Sequence, residues 1–162
     1  MFFRILFLSL LVVFFELFRA AHAWAWGPGV HTVIALDALS GAGFVLPAVS
    51  RMITSFPLEF IYGALSADFF MGKKKRSRYS HQWEGGFRYL KEAGNDREAA
   101  YALGFLSHLA ADIVAHNLFV PILIWTYPGG GKMGHLYWEI KADYTMGSDY
   151  TRVAKGVLAM DH

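Results

Sequence analysis

Apolar residues recur at helical spacing from Val30 to Leu39, and Gly41 and Gly43 close that segment. Leu46 to Leu65 is a longer apolar stretch, broken or kinked at Pro57. Gly72 to Ser80 is polar and basic, contains Lys73-Lys-Lys-Arg-Ser-Arg78, and predicts a loop. Helical spacing resumes from His81 to Ala93 and ends at Gly94-Asn95. Asp96 then predicts the N-cap of a helix that begins at Arg97, runs to about Val120 and stops at Pro121. Tyr127 to Gly134, rich in glycine, predicts a loop, and a last helix is expected from His135 to about Met160, interrupted near Gly147-Ser148. No pair of strands joined by a tight turn is visible, and there is no internal repeat or low-complexity linker. The pattern predicts one all-α domain, a compact multi-helix unit.

Ahead of that domain the pattern changes. Met1-Phe-Phe-Arg4 precedes an apolar run of 11 residues, Ile5 to Phe15, and Ala21-His-Ala23 and Ala23-Trp-Ala25 both fit a small-x-small cleavage site. Such a run reads as a secretory signal peptide over residues 1–23, cleaved after Ala23 or Ala25. It is short of the roughly 20 residues that a membrane span needs, although an uncleaved N-terminal anchor is the alternative. The expectation is therefore export, to the periplasm or outside the cell, of a domain covering residues 24–162. Met160-Asp-His162 carries no helix-ending signal, as a chain truncated at its C-terminus would show.

Composition changes the picture in two ways. Apolar residues make up 55% of the 162 and aromatics 17%, which excludes a disordered chain. Without residues 1–23, which hold Arg4, Glu16 and Arg19, the formal charge falls from +2 to +1, so bulk charge does not call for nucleic acid. Cysteine is absent, so an exported domain would have no disulfide, and bound metal is the alternative staple.

Two segments carry candidate metal ligands. His108, Asp112 and His116 stand at four-residue steps, as do His135, Glu139 and Asp143. Residues four apart on a helix are neighbours, so each segment forms a column of imidazole and carboxylate. Those are the ligands that zinc accepts when thiols are absent. A lone histidine among apolar residues is usually just a satisfied side chain, but His31, His81, His108, His116 and His135 together with Asp112 and Glu139 are another matter. Burying them unpaired would cost several kcal/mol each (order of magnitude), a cost that a shared cation removes. The expectation is that the two columns face each other around metal.

Five segments in order resemble the zinc-dependent phospholipase C family, whose fold is shared with the S1/P1-type nucleases. They are Trp26-Gly-Pro-Gly-Val-His31, Gly63-Ala-Leu-Ser-Ala-Asp68, Ser80-His-Gln-Trp83, Ser107 to Asn117, and Gly134-His-Leu-Tyr-Trp-Glu139, spanning about residues 24 to 145. The resemblance implies up to three zinc ions. His81, His108 and Asp112 would hold one, and His116, His135 and Glu139 a second. His31 would hold the third, with the amino nitrogen and carbonyl oxygen of an N-terminal tryptophan and a bridging oxygen of Asp112. Trp26 adjoins the Gly-Pro-Gly-Val-His segment and is favoured over Trp24 as that tryptophan. Asp68 matches the family's proposed general base. The implied chemistry is phosphodiester hydrolysis with hydroxide generated near neutral pH.

The chain departs from the family in places. Asp112 and His116 are four apart, two fewer than in the better-known phospholipases, although four suits a continuous helix. No separate lipid-binding C-terminal domain is present in the 162 residues.

Other features stay open at this level. Lys73 to Arg78 could attract anionic headgroups, or be a solvated loop. Phe69, Phe70 and Met71 could line an acyl pocket, or pack in the core. Tyr137 and Trp138 read as core residues, and Trp83 as a neighbour of the site. Asp143 could bond a ligating histidine or lie on the surface. His162 has no assignment.

The leading expectation is an exported, zinc-dependent phospholipase C acting on glycerophospholipids at a membrane surface, with no specific nucleic acid partner. An S1/P1-like zinc nuclease is the alternative, although those enzymes carry Asp where this chain has Glu139. A catalytically silent, metal-stabilised membrane-associated domain is the other.

Overall fold

A computed structural model describes residues 26–70, 81–127 and 131–160. Nearly all of them are helical, and no strand occurs among the described residues, as the spacing predicts. The helices are α1 (Pro28–Ser40), α2 (Pro47–Ser55), α3 (Pro57–Ser66), α4 (Trp83–Glu92), α5 (Asp96–Val114), α6 (Val120–Thr126), α7 (Gly131–Met146) and α8 (Ser148–Leu158). The first three open on a proline, whose fixed φ and missing N–H suit a first turn. The predicted break at Pro57 is where α2 gives way to α3. A 3-10 turn, Ala67–Phe70, follows α3 and carries Asp68.

The centre of the fold is the crossing of α3 and α5. A Cβ added to Gly104 would run into the Phe60 carbonyl, and one on Gly63 into the Tyr101 carbonyl. The two helices therefore meet backbone to backbone. Ile53, Phe60, Ile61 and Leu65 of α2 and α3 pack with Ala35 of α1 and with Ala154 and Val157 of α8 in the main core. A smaller cluster of Ala67, Phe105 and Leu109 lies beside the functional residues.

The boundaries differ from the sequence expectation at three places. The N-cap of α5 is Asn95, not Asp96. Asn95 is extended, its side-chain oxygen accepts the Glu98 N–H at 2.9 Å, and the Glu98 carboxylate accepts the Gly94 N–H at 2.8 Å, a reciprocal arrangement that leaves Asp96 inside the first turn. Helical structure also continues past Pro121 to Thr126, because a π turn, Ala115–Phe119, precedes the proline. Proline lacks a donor and crowds the carbonyl four residues back, and the wider π turn accommodates both. Gly131 to Gly134, expected in a loop, forms the first turn of α7. The expected interruption at Gly147 is real: its φ of 96° is a conformation that favours glycine.

By length and composition the run Asp96–Thr126 could cross a membrane, but its middle carries the buried His108 and Asp112. The expected signal peptide (1–23), the basic loop Lys73–Arg78, Met71 and His162 lie outside the described residues.

The glycine crossing makes a prediction. Gly104→Ala should destabilise the fold by at least about 2 kcal/mol, since two backbones must part to admit a methyl group. Chemical denaturation of the purified protein measures it, and a change under about 0.5 kcal/mol would refute the backbone contact.

Candidate metal centre

Four elements aim ligand atoms at one region: α1 with His31, the 3-10 turn with Asp68, α5 with His108 and Asp112, and the turn before α4 with His81. His81 therefore precedes its helix instead of lying within it. His108 Nε2 is 3.3 Å from Asp112 Oδ2 and 3.6 Å from Asp68 Oδ1. His81 Nε2 is 3.3 Å from Asp68 Oδ1 and 3.6 Å from Asp112 Oδ2, and His31 Nε2 is 3.4 Å from Asp112 Oδ1. The α3–α5 crossing contributes directly: His108 Nδ1 lies 2.8 Å from the Ala64 carbonyl. Donation there puts the ring proton on Nδ1 and leaves the Nε2 lone pair facing the carboxylates.

The second column behaves differently from a straight helix. His116 falls in the π turn and groups with His135 and Glu139 of α7. Its Nδ1 is 3.0 Å from His135 Nε2, and that nitrogen is 2.9 Å from Glu139 Oε1. The site thus comprises three groups: His31, His108 and Asp112; Asp68, His81 and His108; and His116, His135 and Glu139. The two columns meet only at His116, while His108 and Asp112 group with His31, His81 and Asp68, and Asp143 joins no ligand group. His116 leaves its own column for the other, and Asp68 stands among the ligand atoms as well as near them.

Burial and charge argue that a cation belongs here. His31, His108, Asp112 and Glu139 are buried. Among the atoms without a hydrogen-bond partner are His31 Nε2, His108 Nε2, Asp112 Oδ1 and Glu139 Oε1. Orphaned polar atoms of this kind are costly. Two donors about 2.0–2.2 Å from one tetrahedral zinc stand roughly 3.3–3.5 Å apart, close to the 3.3–3.6 Å separations around Asp112 and Asp68. The donor set is imidazole and carboxylate without thiol, which also fits zinc.

Without a cation the group is electrostatically strained. Burial, and then the stacked His108 ring 3.9 Å away, lower the pKa of His31. For His108 burial acts the same way, but Asp112 outweighs it and raises the pKa. Burial opposes the charge on Asp112, yet its imidazole neighbours His108 and His31 hold it well below the usual carboxylate range. Burial lowers His135. Burial, reinforced by the negative Asp112 and Asp68, pushes Glu139 up to about 8. Asp68 and Asp112 share His81 and His108 as partners, while Glu139 faces His135.

The remaining expected residues are placed as follows. The Trp26 ring meets His31 edge-on at 6.4 Å and Phe119 at 5.7 Å, so it sits beside the group of His31, His108 and Asp112. Trp24 lies outside the described residues. Asp143 bonds no histidine. It accepts the Val30 N–H at 2.8 Å, holding the first turn of α1 one residue from His31. A side chain at Gly27 or Gly29 would strike that carboxylate. Tyr137 is mostly exposed, contrary to the core reading, because it faces outward on α7; Trp83 is partly exposed and stacks on Phe87 at 5.9 Å. Sequence reasoning missed the structural role of Asp143, although its place one turn beyond Glu139 marked it, and it missed the Ala64 carbonyl, which no side-chain motif announces.

Fold and geometry define an all-α metal-binding domain with convergent histidine–carboxylate groups. The chain belongs to the zinc-dependent phospholipase C family, whose family model matches residues 30–159. No curated protein and no solved structure matches it. Family and donor set together support zinc as the ion and a phospholipase C-like hydrolase as the class.

The charge analysis predicts a pH signature. Glu139 ionises at about 8 when folded and near 4.5 when unfolded, so the folded state holds the extra proton between those values. Stability from this group therefore falls as pH rises through that window. The raised pKa of His108 acts in the same direction above 6.5, while the lowered values of His31 and His135 matter below it. Chelator-treated protein should melt at a lower temperature at pH 8 than at pH 6.5, and zinc should abolish the difference. Calorimetry showing metal-free protein equally stable at both pH values would contradict the assignment of Glu139.

Proposed function

We propose that this protein is an exported zinc-dependent phosphodiester hydrolase, a phospholipase C that acts on glycerophospholipids at a membrane surface. The observation that carries the reading is the set of three ligand groups, two of them sharing His108 and the third formed by His116, His135 and Glu139, with Asp68 the more accessible of the carboxylates around His108. In this reading His81, His108 and Asp112 hold one zinc and His116, His135 and Glu139 a second. His31 and Asp112 hold a third with the backbone of Trp26, once cleavage after Ala25 frees its amine. Bound zinc supplies Lewis-acid stabilisation of phosphoryl oxygens and lowers the pKa of water towards ~7.

The chain's own residues do the rest. The Asp68 side chain is 28% exposed against 9% for Asp112, so it is the carboxylate that incoming water can reach. It accepts a proton as water oxygen bonds to phosphorus and the bond from phosphorus to the glycerol oxygen breaks. That proton then completes the alcohol, leaving diacylglycerol and a phosphorylated headgroup. His108, locked by Ala64, and His31, placed by the Asp143 contact to α1, keep the ligand atoms oriented without rearrangement. Export rests on the Met1 to Ala23 pattern.

Asp68→Asn should retain most of the bound metal and lower turnover of phosphatidylcholine by roughly 10²–10⁴-fold. Parallel loss of zinc would make Asp68 a ligand instead of a base. In side-by-side assays the wild type should form diacylglycerol from phosphatidylcholine faster than it cleaves single-stranded DNA or RNA. The reverse order, with no diacylglycerol, would make it a nuclease.

A further inference from the structure

We infer that the cleft between the start of α1, α7 and α8 receives the acyl chains of the lipid substrate, an assignment that rests on the phospholipase reading above. The cleft has a volume of about 970 Å³ and opens to solvent. Its α7 wall is a row of apolar side chains at four-residue steps, Leu136, Ile140 and Tyr144, which are 44%, 61% and 81% exposed. Trp26 and Pro28 line it from the side of α1. Isolated exposed apolar residues are ordinary, but a row of three lining a concave surface is the composition of a ligand site.

Position settles which ligand the row suits. Glu139 lies on the same helix and lines the same cleft, while belonging to the group with His116 and His135. A phosphodiester engaged there runs its neighbouring part along Leu136, Ile140 and Tyr144. The row is roughly 12 Å long at 1.5 Å per residue, a length that accommodates an acyl chain of about eight to ten carbons. A polynucleotide fits less well. Of the two cations lining the cleft, Arg152 is already paired with Asp149 at 2.8 Å, which leaves Lys155. Phe69, Phe70 and Met71, the sequence's own suggestion for an acyl pocket, are not needed for this wall.

The test compares two phosphocholine substrates, dioctanoylphosphatidylcholine and p-nitrophenyl phosphorylcholine, which lacks acyl chains. The double variant Ile140→Ser, Tyr144→Ser changes two largely exposed side chains, so folding and zinc content should hold. It should lower kcat/KM for the lipid about tenfold more than for the nitrophenyl ester, through loss of apolar contact. Equal effects on both substrates, or no effect on either, would overturn the inference. Calorimetric titration with dioctanoylglycerol is independent of turnover. The wild type should bind with a negative heat-capacity change and the variant at least several-fold more weakly. If the wild type cleaves neither substrate yet binds dioctanoylglycerol, the phospholipase reading fails and the acyl site stands. If the diglyceride does not bind and the variant melts earlier, the chain itself fills the cleft and the inference is wrong.

Discussion

A buried carboxylate faces imidazole nitrogens from three different elements, and the rest of the site is arranged around that fact. Asp112 has His31 on one oxygen and His81 and His108 on the other, none closer than 3.3 Å. Such spacing is too open for strong hydrogen bonds and suits donors that share a cation. The pKa pattern says the same thing in another way. Asp112 is held ionised while Glu139, pushed up by burial and by the nearby negative charges, is driven towards its neutral form. The protein lacks positive charge where its carboxylates converge, and a divalent cation repairs that deficit more cheaply than any side chain that would fit.

Holding Asp112 in place is a problem of backbone geometry. Gly63 and Gly104 let α3 and α5 touch, and that contact brings the Ala64 carbonyl to His108 Nδ1. A side chain at either glycine would separate the helices and free the imidazole to rotate. On the opposite side, Asp143 receives the Val30 N–H, so the α1 residue next to His31 is tied to the helix that carries His135 and Glu139. These contacts are not ligands, yet they set the distances between the three groups.

The helices and the ligand residues were legible because both follow spacing. The Pro57 break, the Gly147 break and the four-residue pairs His108–Asp112 and His135–Glu139 are local signals, and the structure keeps them. What escaped the sequence was non-local or depended on competition. Asn95 and Asp96 are both good caps, and the choice between them turns on where the Glu98 side chain bonds. Pro121 normally stops a helix, but the π turn before it absorbs the missing donor. That turn also explains the short interval between Asp112 and His116. His116 is not the third rung of a straight column; the wider turn lets it leave Asp112 and join His135 and Glu139. Gly63 and Gly104 gave no warning of a helix crossing, since one glycine in an apolar helix has many explanations. The exposed row on α7 was hidden for a similar reason. Leu136, Ile140 and Tyr144 share a helical face, but only the position of α1 and α8 shows that the core lies elsewhere.

The distribution of that core gives the metal a structural task beyond chemistry. The main apolar cluster is drawn from α1, α2, α3 and α8. Among the described residues, α6 and α7 bury little besides Val120, Gly134 and Glu139, and much of their apolar surface faces outward. α6 continues α5 through the π turn, and α7 packs against α1 and α8; the named contacts here are Trp26 on Phe119 of the π turn, Asp143 on Val30, and the His116, His135 and Glu139 group. In a chain without cysteine, a cation held by that group would tie α7 to the π turn, and its binding energy would add to the folding energy of this part of the chain. A metal bound by that group would couple to the shape of the cleft, because α7, which carries His135 and Glu139, also lines the cleft.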